Sequence, residues 1–158
     1  GIHEIEKEIR NISHDLNKEV FSENDSFKRI LVTFFEEQKK IMKAKLHTDI
    51  DKSIDWDSLK SSQKINLYRM LQEVFQNAGK HAKADHLFLS MSNQDNYILL
   101  EIHDDGIGFS VNDKNKGIGL QNLRARAKDC QGIFHINSTV GSGTTIIVSI
   151  PTSKENLA

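Results

Sequence analysis

The apolar positions of the first 46 residues fall into two stripes. Ile2, Ile5, Ile9, Ile12 and Leu16 recur in alternating steps of three and four, the a/d seam of a helix that packs on another helix. The polar run SENDS, residues 22–26, interrupts it, and Asp25 or Ser26 can cap a following helix. Phe27, Ile30, Leu31, Phe34, Phe35, Ile41 and Met42 make a second stripe reaching to about Leu46. Two amphipathic helices joined by a short turn predict an antiparallel hairpin. A hairpin this small cannot hide so wide a stripe, so the pattern predicts dimerisation into a four-helix bundle through residues 2–46.

The stretch HTDIDKSIDWDSL, from His47, breaks the helical period and sets an expected boundary between segments 1–46 and 47–158. A third helix is predicted from Ser61, with Ile65, Tyr68, Leu71, Phe75 and Ala78 on one face. Past Lys83 the period becomes two. Leu87, Leu89 and Met91, then Ile98, Leu100 and Ile102, then Phe134 and Ile136, then Ile146, Val148 and Ile150 alternate as half-buried strands do. A helix with Leu120, Leu123, Ala127 and Cys130 separates the second and third of these. The expected fold class is α+β: a sandwich of a mixed sheet with helices on one face, behind the helical bundle.

Composition removes several function classes. Among 158 residues, 21 basic and 22 acidic side chains leave a net charge of −1, which lacks the basic footprint of a nucleic-acid binder or a polybasic membrane patch. A lone cysteine, Cys130, excludes an internal disulfide and suits a reducing, cytoplasmic setting. His81 and His86, five apart, do not share a helix face as metal ligands would. No apolar run is long enough for a membrane span, and no signal peptide is present. Because the helical pattern is already running at Ile2, the expectation is a cytoplasmic portion of a larger protein. Any membrane attachment would then come only through a missing N-terminal part.

Three glycine clusters follow the third helix: DDGIGF (104–109), GIGLQNL (117–123) and GSGTT (141–145). The first begins with two carboxylates at a strand end. The second opens a helix, where free backbone N–H groups and the helix dipole suit phosphate oxygens. The third also reads as a hairpin turn.

Taken in order with LQEVFQNAGKHA (71–82), these clusters resemble the N box and three glycine boxes of the ATP-binding domain shared by sensor histidine kinases, gyrase-type topoisomerases and heat-shock-ninety chaperones. With IRNISHDL (9–16) as a histidine box, the chain from about residue 2 to 151 is similar to the core of a two-component sensor histidine kinase of the histidine-aspartate subfamily. The resemblance implies ATP and Mg2+ as cofactors, a homodimer, and a response-regulator receiver domain as partner. Glu73 and Asn77, four apart on one helix face, would address the magnesium ion and the triphosphate. Lys80 would meet the phosphates and His81 would line the nucleotide. Asp104 would accept a hydrogen bond from the adenine amino group, and Gly106 and Gly108 would let backbone approach the base. Gly117 and Gly119 of the second box would hinge a short lid and offer amides to phosphate, with Leu120 of that box and Gly143 and Thr144 of the third as further cofactor-binding residues. Asp105 reads as a turn residue only.

His14 lies two past the d-type Ile12, at an exposed f position. A phosphoryl acceptor has to be exposed, and a largely neutral imidazole can attack phosphorus through a ring nitrogen, with Asp15 orienting the ring. The expected activity is ATP-dependent autophosphorylation of His14, then transfer to an aspartate of a response regulator. The catalytic set is His14, Asp15 and Glu73. The competing readings are a nucleotide-binding dimeric scaffold that transfers nothing, and a serine-directed kinase or ATPase of the same fold. One departure from the subfamily is Glu19, where the resemblance implies a glutamine used to dephosphorylate the regulator; Lys18 likewise replaces the threonine or asparagine of the other large subfamily.

Overall fold

The structure, a computed structural model, describes residues 25–78, 83–107 and 117–152. Its centre is a five-stranded sheet made of β1 (Lys45–Ile50), β2 (His86–Asn93), β3 (Tyr97–Asp104), β4 (Ile133–Thr139) and β5 (Gly143–Pro151). The strand order is β1-β2-β3-β5-β4. β1 runs parallel to β2, and every other neighbouring pair is antiparallel, so the sheet is mixed, as expected. The period-two pattern has the predicted consequence. Leu87, Leu89, Met91, Ile98, Leu100, Ile102, Ile146, Val148 and Ile150 are all buried on one face, while His47, Phe88 and His103 are exposed on the other.

Helices α1 (Asp25–Ile41), α2 (Ser61–Asn77) and α3 (Gly117–Asp129) share the core with the apolar face of the sheet. The start of α2 is fixed by Gln63, whose Oε1 accepts from the Lys60 N–H at 2.8 Å. The same side-chain amide reaches the far side: Nε2 donates to the carbonyls of Cys130 at 3.0 Å and Pro151 at 2.9 Å, joining α2 to the end of α3 and to β5. Leu67, Tyr68, Met70, Leu71, Val74 and Phe75 of α2 are buried, each apolar side chain contributing roughly 1.5–3 kcal/mol.

The second stripe is used differently from the expectation. Its helix ends at Ile41 rather than near Leu46, and Leu46 is a buried residue of β1. The expected boundary between residues 46 and 47 therefore falls inside a strand. Nor does the stripe pair with an antiparallel hairpin partner among the described residues. Phe34 packs between Tyr68 and Phe75 of α2, with ring centroids at 5.2 and 5.3 Å, and Phe27 packs edge-on to Trp56 at 5.4 Å. Trp56 belongs to a single 3₁₀ turn, Trp56–Ser58, in the segment between β1 and α2. The physical reason is burial: an amphipathic face packs on whichever apolar surface is adjacent, and the sheet domain offers one. The predicted first helix, with His14 and the seam from Ile2 to Leu16, lies outside the described residues, as does any four-helix bundle built on it. Among the described residues, no helix is long and apolar enough to cross a membrane.

Candidate functional site

The alternation of β3 that buries Ile98, Leu100 and Ile102 also turns its last residue, Asp104, to the core side, where it is 8 % exposed. A carboxylate so placed needs donors. The Gly106 N–H donates to its Oδ1 at 2.9 Å. Burial pushes the Asp104 carboxyl above the usual carboxylate range, opposed by the Gly106 N–H, the nearby His103 and the backbone of Thr144.

Opposite Asp104 in the β3–β5 register stands Thr144. Gly143, beside it, has φ +81°, and a Cβ there would overlap the Asp104 carbonyl oxygen. Only glycine allows this approach. The Ser138 hydroxyl lies 2.7 Å from the Thr144 hydroxyl and donates to the Gly143 carbonyl at 3.2 Å. The Gly141 N–H donates to the Ile107 carbonyl at 2.6 Å, tying the β4–β5 turn to the loop after β3. The GSGTT stretch is thus a hairpin turn whose backbone packs against the strand end that carries the buried carboxylate.

Residues 62–154 match the family model described as histidine kinase-, DNA gyrase B-, and HSP90-like ATPase. The chain belongs to this ATPase family. Its curated relatives include the sensor protein VraS of Staphylococcus saprophyticus, 39 % identical over 92 residues, which make up 58 % of this chain and 26 % of that protein. VraS of Staphylococcus epidermidis is 40 % identical over 91 residues, again 26 % of its length. The chain therefore spans about a quarter of the curated relatives it matches. Among solved structures, a blue-light activated histidine kinase of Erythrobacter litoralis has a TM-score of 0.65 at 20 % identity, covering 81 % of this chain and 42 % of that one. The Acinetobacter baumannii histidine kinase AdeS has 0.62 at 17 %, covering 82 % and 65 %. These two similarities establish the fold.

Within the ATPase domain, Asp104, Gly106, Gly143 and Thr144 are brought together. Glu73 and Asn77 stand one helical turn apart at the C-terminal end of α2, both half-buried. Gly117, Gly119 and Leu120 form the first turn of α3, which packs against α2, and Leu120 rests on the core. His14, Asp15, Lys80, His81 and Gly108 lie outside the described residues.

Asp105 does more than the turn role expected of it. Its Oδ1 accepts from the N–H groups of Asp85 and His86, both at 2.9 Å, and its own N–H donates to the His86 carbonyl at 3.3 Å. The His86 N–H is the main cause that holds its carboxyl below the usual range. Asp105 thereby pins the start of β2 to the turn that presents Asp104. Its acceptor role is invisible in the sequence because the donors are main-chain groups about twenty residues upstream.

Proposed function

We propose that this chain is the catalytic ATP-binding part of a sensor histidine kinase: it binds Mg-ATP beside Asp104, phosphorylates His14, and passes the phosphoryl group to an aspartate of a response-regulator receiver domain. The observation that carries the reading is Asp104 itself, a buried carboxylate at a strand end with one oxygen held by Gly106 and the backbone of Gly143 packed against it. A carboxylate in this setting accepts a hydrogen bond from the adenine amino group and repels the carbonyl oxygen that guanine carries at the same position. Gly106 and Gly108 would let the backbone approach a flat base. The kinship with VraS favours the kinase over a generic ATPase.

Glu73 and Asn77 fit a cation that arrives with phosphates. No group of three histidine, cysteine, aspartate or glutamate side chains converges among the described residues, and Mg2+ in kinase-type sites commonly has one or two protein ligands with phosphates and water completing the shell. When bound, the ion neutralises charge on the triphosphate. Glu73 and Asn77 would hold it, the N–H groups at the start of α3 would receive phosphate oxygens, and Lys80 would add positive charge there. His81 and Gly108 would complete the nucleotide contacts, with Leu120 against the base side of the pocket. Asp15 would orient the His14 ring and take its other proton. Catalysis of this kind rests mainly on positioning.

The placement of α1 in the sheet core supports a revised division, with dimerisation and the phosphoacceptor carried before residue 25 and the ATP-binding domain beginning at α1. The protein would act as a homodimer in the cytoplasm. The test is a calorimetric titration with Mg-ATP and Mg-GTP. Saturable ATP binding with GTP at least about tenfold weaker, the effect of one lost charge-assisted hydrogen bond, is expected; equal binding of the two would remove Asp104 as the base reader.

A further inference from the structure

We propose that His47 and His86 form a binding site for a late first-row divalent transition-metal ion, of the Zn2+ class, on the sheet face opposite the helices. His47 comes from β1 and His86 opens β2. The parallel register sets His47 across from Phe88 and Lys45 across from His86, so the two histidines are diagonal neighbours on one face. Their rings approach at His47 Nε2 to His86 Nδ1, 3.0 Å apart. Two nitrogens on one metal ion at about 2.0–2.1 Å each stand roughly 2.9–3.4 Å apart for angles between square and tetrahedral. The dyad already has that spacing.

Its surroundings hold it ready. His47 stacks on Phe88 with centroids 4.7 Å apart and planes 13° from parallel, and His86 stacks on His47 at 5.2 Å and 27°. Stacking occupies ring faces and leaves the in-plane nitrogen lone pairs for coordination. The two nitrogens stand at hydrogen-bond distance, and which of them donates depends on the tautomer of each ring. Coordination through this pair of nitrogens needs the tautomer of His47 with its hydrogen on Nδ1 and that of His86 with its hydrogen on Nε2. His103 is not a third ligand: Phe88 stands between it and the dyad, at 6.3 Å from its ring, and its Nδ1 is 2.8 Å from the Thr145 hydroxyl. No three-residue metal group forms among the described residues, so water would complete the shell. Paired imidazoles select zinc-like ions over Mg2+, which prefers oxygen ligands.

The site would act as a clamp. β1 is the edge strand, and the His86 backbone is the segment that Asp105 holds against the turn presenting Asp104. A metal ion shared by His47 and His86 would fasten the edge strand to that segment.

The experiment titrates the full chain with ZnCl2, following the histidine ring resonances by NMR and the melting temperature, with MgCl2 as the comparison ion. The His47 and His86 signals should move together, the melting temperature should rise with Zn2+ and not with Mg2+, and His103→Asn should behave as the parent. His47→Asn and His86→Asn should each weaken the Zn2+ binding reported by these signals by about tenfold or more. If His86→Asn fails to fold, His47→Asn, at an exposed edge position, decides alone. Unmoved His47 and His86 signals at saturating Zn2+, or His47→Asn binding as tightly as the parent, would overturn the proposal.

Discussion

Gly143 and Asp104 meet backbone to backbone: the space that a Cβ at 143 would need is filled by the Asp104 carbonyl. Gly141, two residues earlier, has a similar φ of +86° but open space around it. The pair separates two costs. Gly141→Ala should lose only the conformational part, roughly 1–2 kcal/mol. Gly143→Ala should lose that and the close approach as well, and should also weaken ATP binding. Chemical denaturation and an ATP titration of both variants check this, and equal losses would mean the contact with Asp104 is unimportant.

Asp104 opposes stability to function. Its carboxyl is pushed up by burial, so the folded state holds its proton more tightly than the unfolded chain does. The sign follows from linkage: the contribution is most favourable below the unfolded pKa of about 3.9 and is lost as pH rises through the higher folded value. Asp104→Asn removes the buried charge and keeps an acceptor for Gly106. It should melt higher than the parent at neutral pH, with the advantage shrinking toward pH 4, while its ATP affinity falls by about 1.5–3 kcal/mol. A lower melting temperature at pH 7 would contradict the assignment of burial as the dominant influence.

Asp105 should behave with the opposite sign. Its lowered pKa, caused first by the His86 N–H, means that its stabilising contribution is present above the ordinary carboxylate range and is lost as pH falls through the lower folded value. Asp105→Ala should reduce the melting temperature at pH 7 and flatten the acid limb of the stability curve, with Asp105→Asn intermediate because it retains an acceptor. An acid limb identical to the parent's would show that the two main-chain hydrogen bonds do not matter.

The legibility of this fold in the sequence was uneven, for physical reasons. Strands such as Ile98–Ile102 declare themselves because each alternate side chain is buried, and the glycine boxes do so because Gly143 serves a contact no other residue permits. The α1 stripe was equally clear as a helix, but a helical period says only that one face is apolar and not what covers it; Phe34 could have met a partner helix and instead meets Tyr68 and Phe75. β1 carries no strand signal because Leu46 is its one buried residue and the spacing Ile41, Met42, Leu46 also fits a helix. Its identity comes from parallel pairing with β2, some forty residues later, a long-range pairing with no local signature. At the site, Asp104 was legible from its motif and Asp105 was not, since its partners are main-chain N–H groups.

That reassignment of α1 has its own test. Phe34 is 7 % exposed between two rings of α2, and Phe34→Ala should cost about 3–5 kcal/mol. Measured in the full chain, the loss should appear in the same transition that abolishes ATP binding. A separate transition that leaves ATP binding intact would return α1 to an independent helical unit.

The kinase reading itself comes down to whether His14 receives the γ-phosphoryl group. Incubation of the chain with Mg2+ and γ-labelled ATP should yield a phosphoprotein that is labile in acid and stable in base, as a phosphorus–nitrogen bond is, and His14→Ala should bind ATP normally and take up no label. Equal labelling of His14→Ala and the parent, or a label stable to acid, would contradict it.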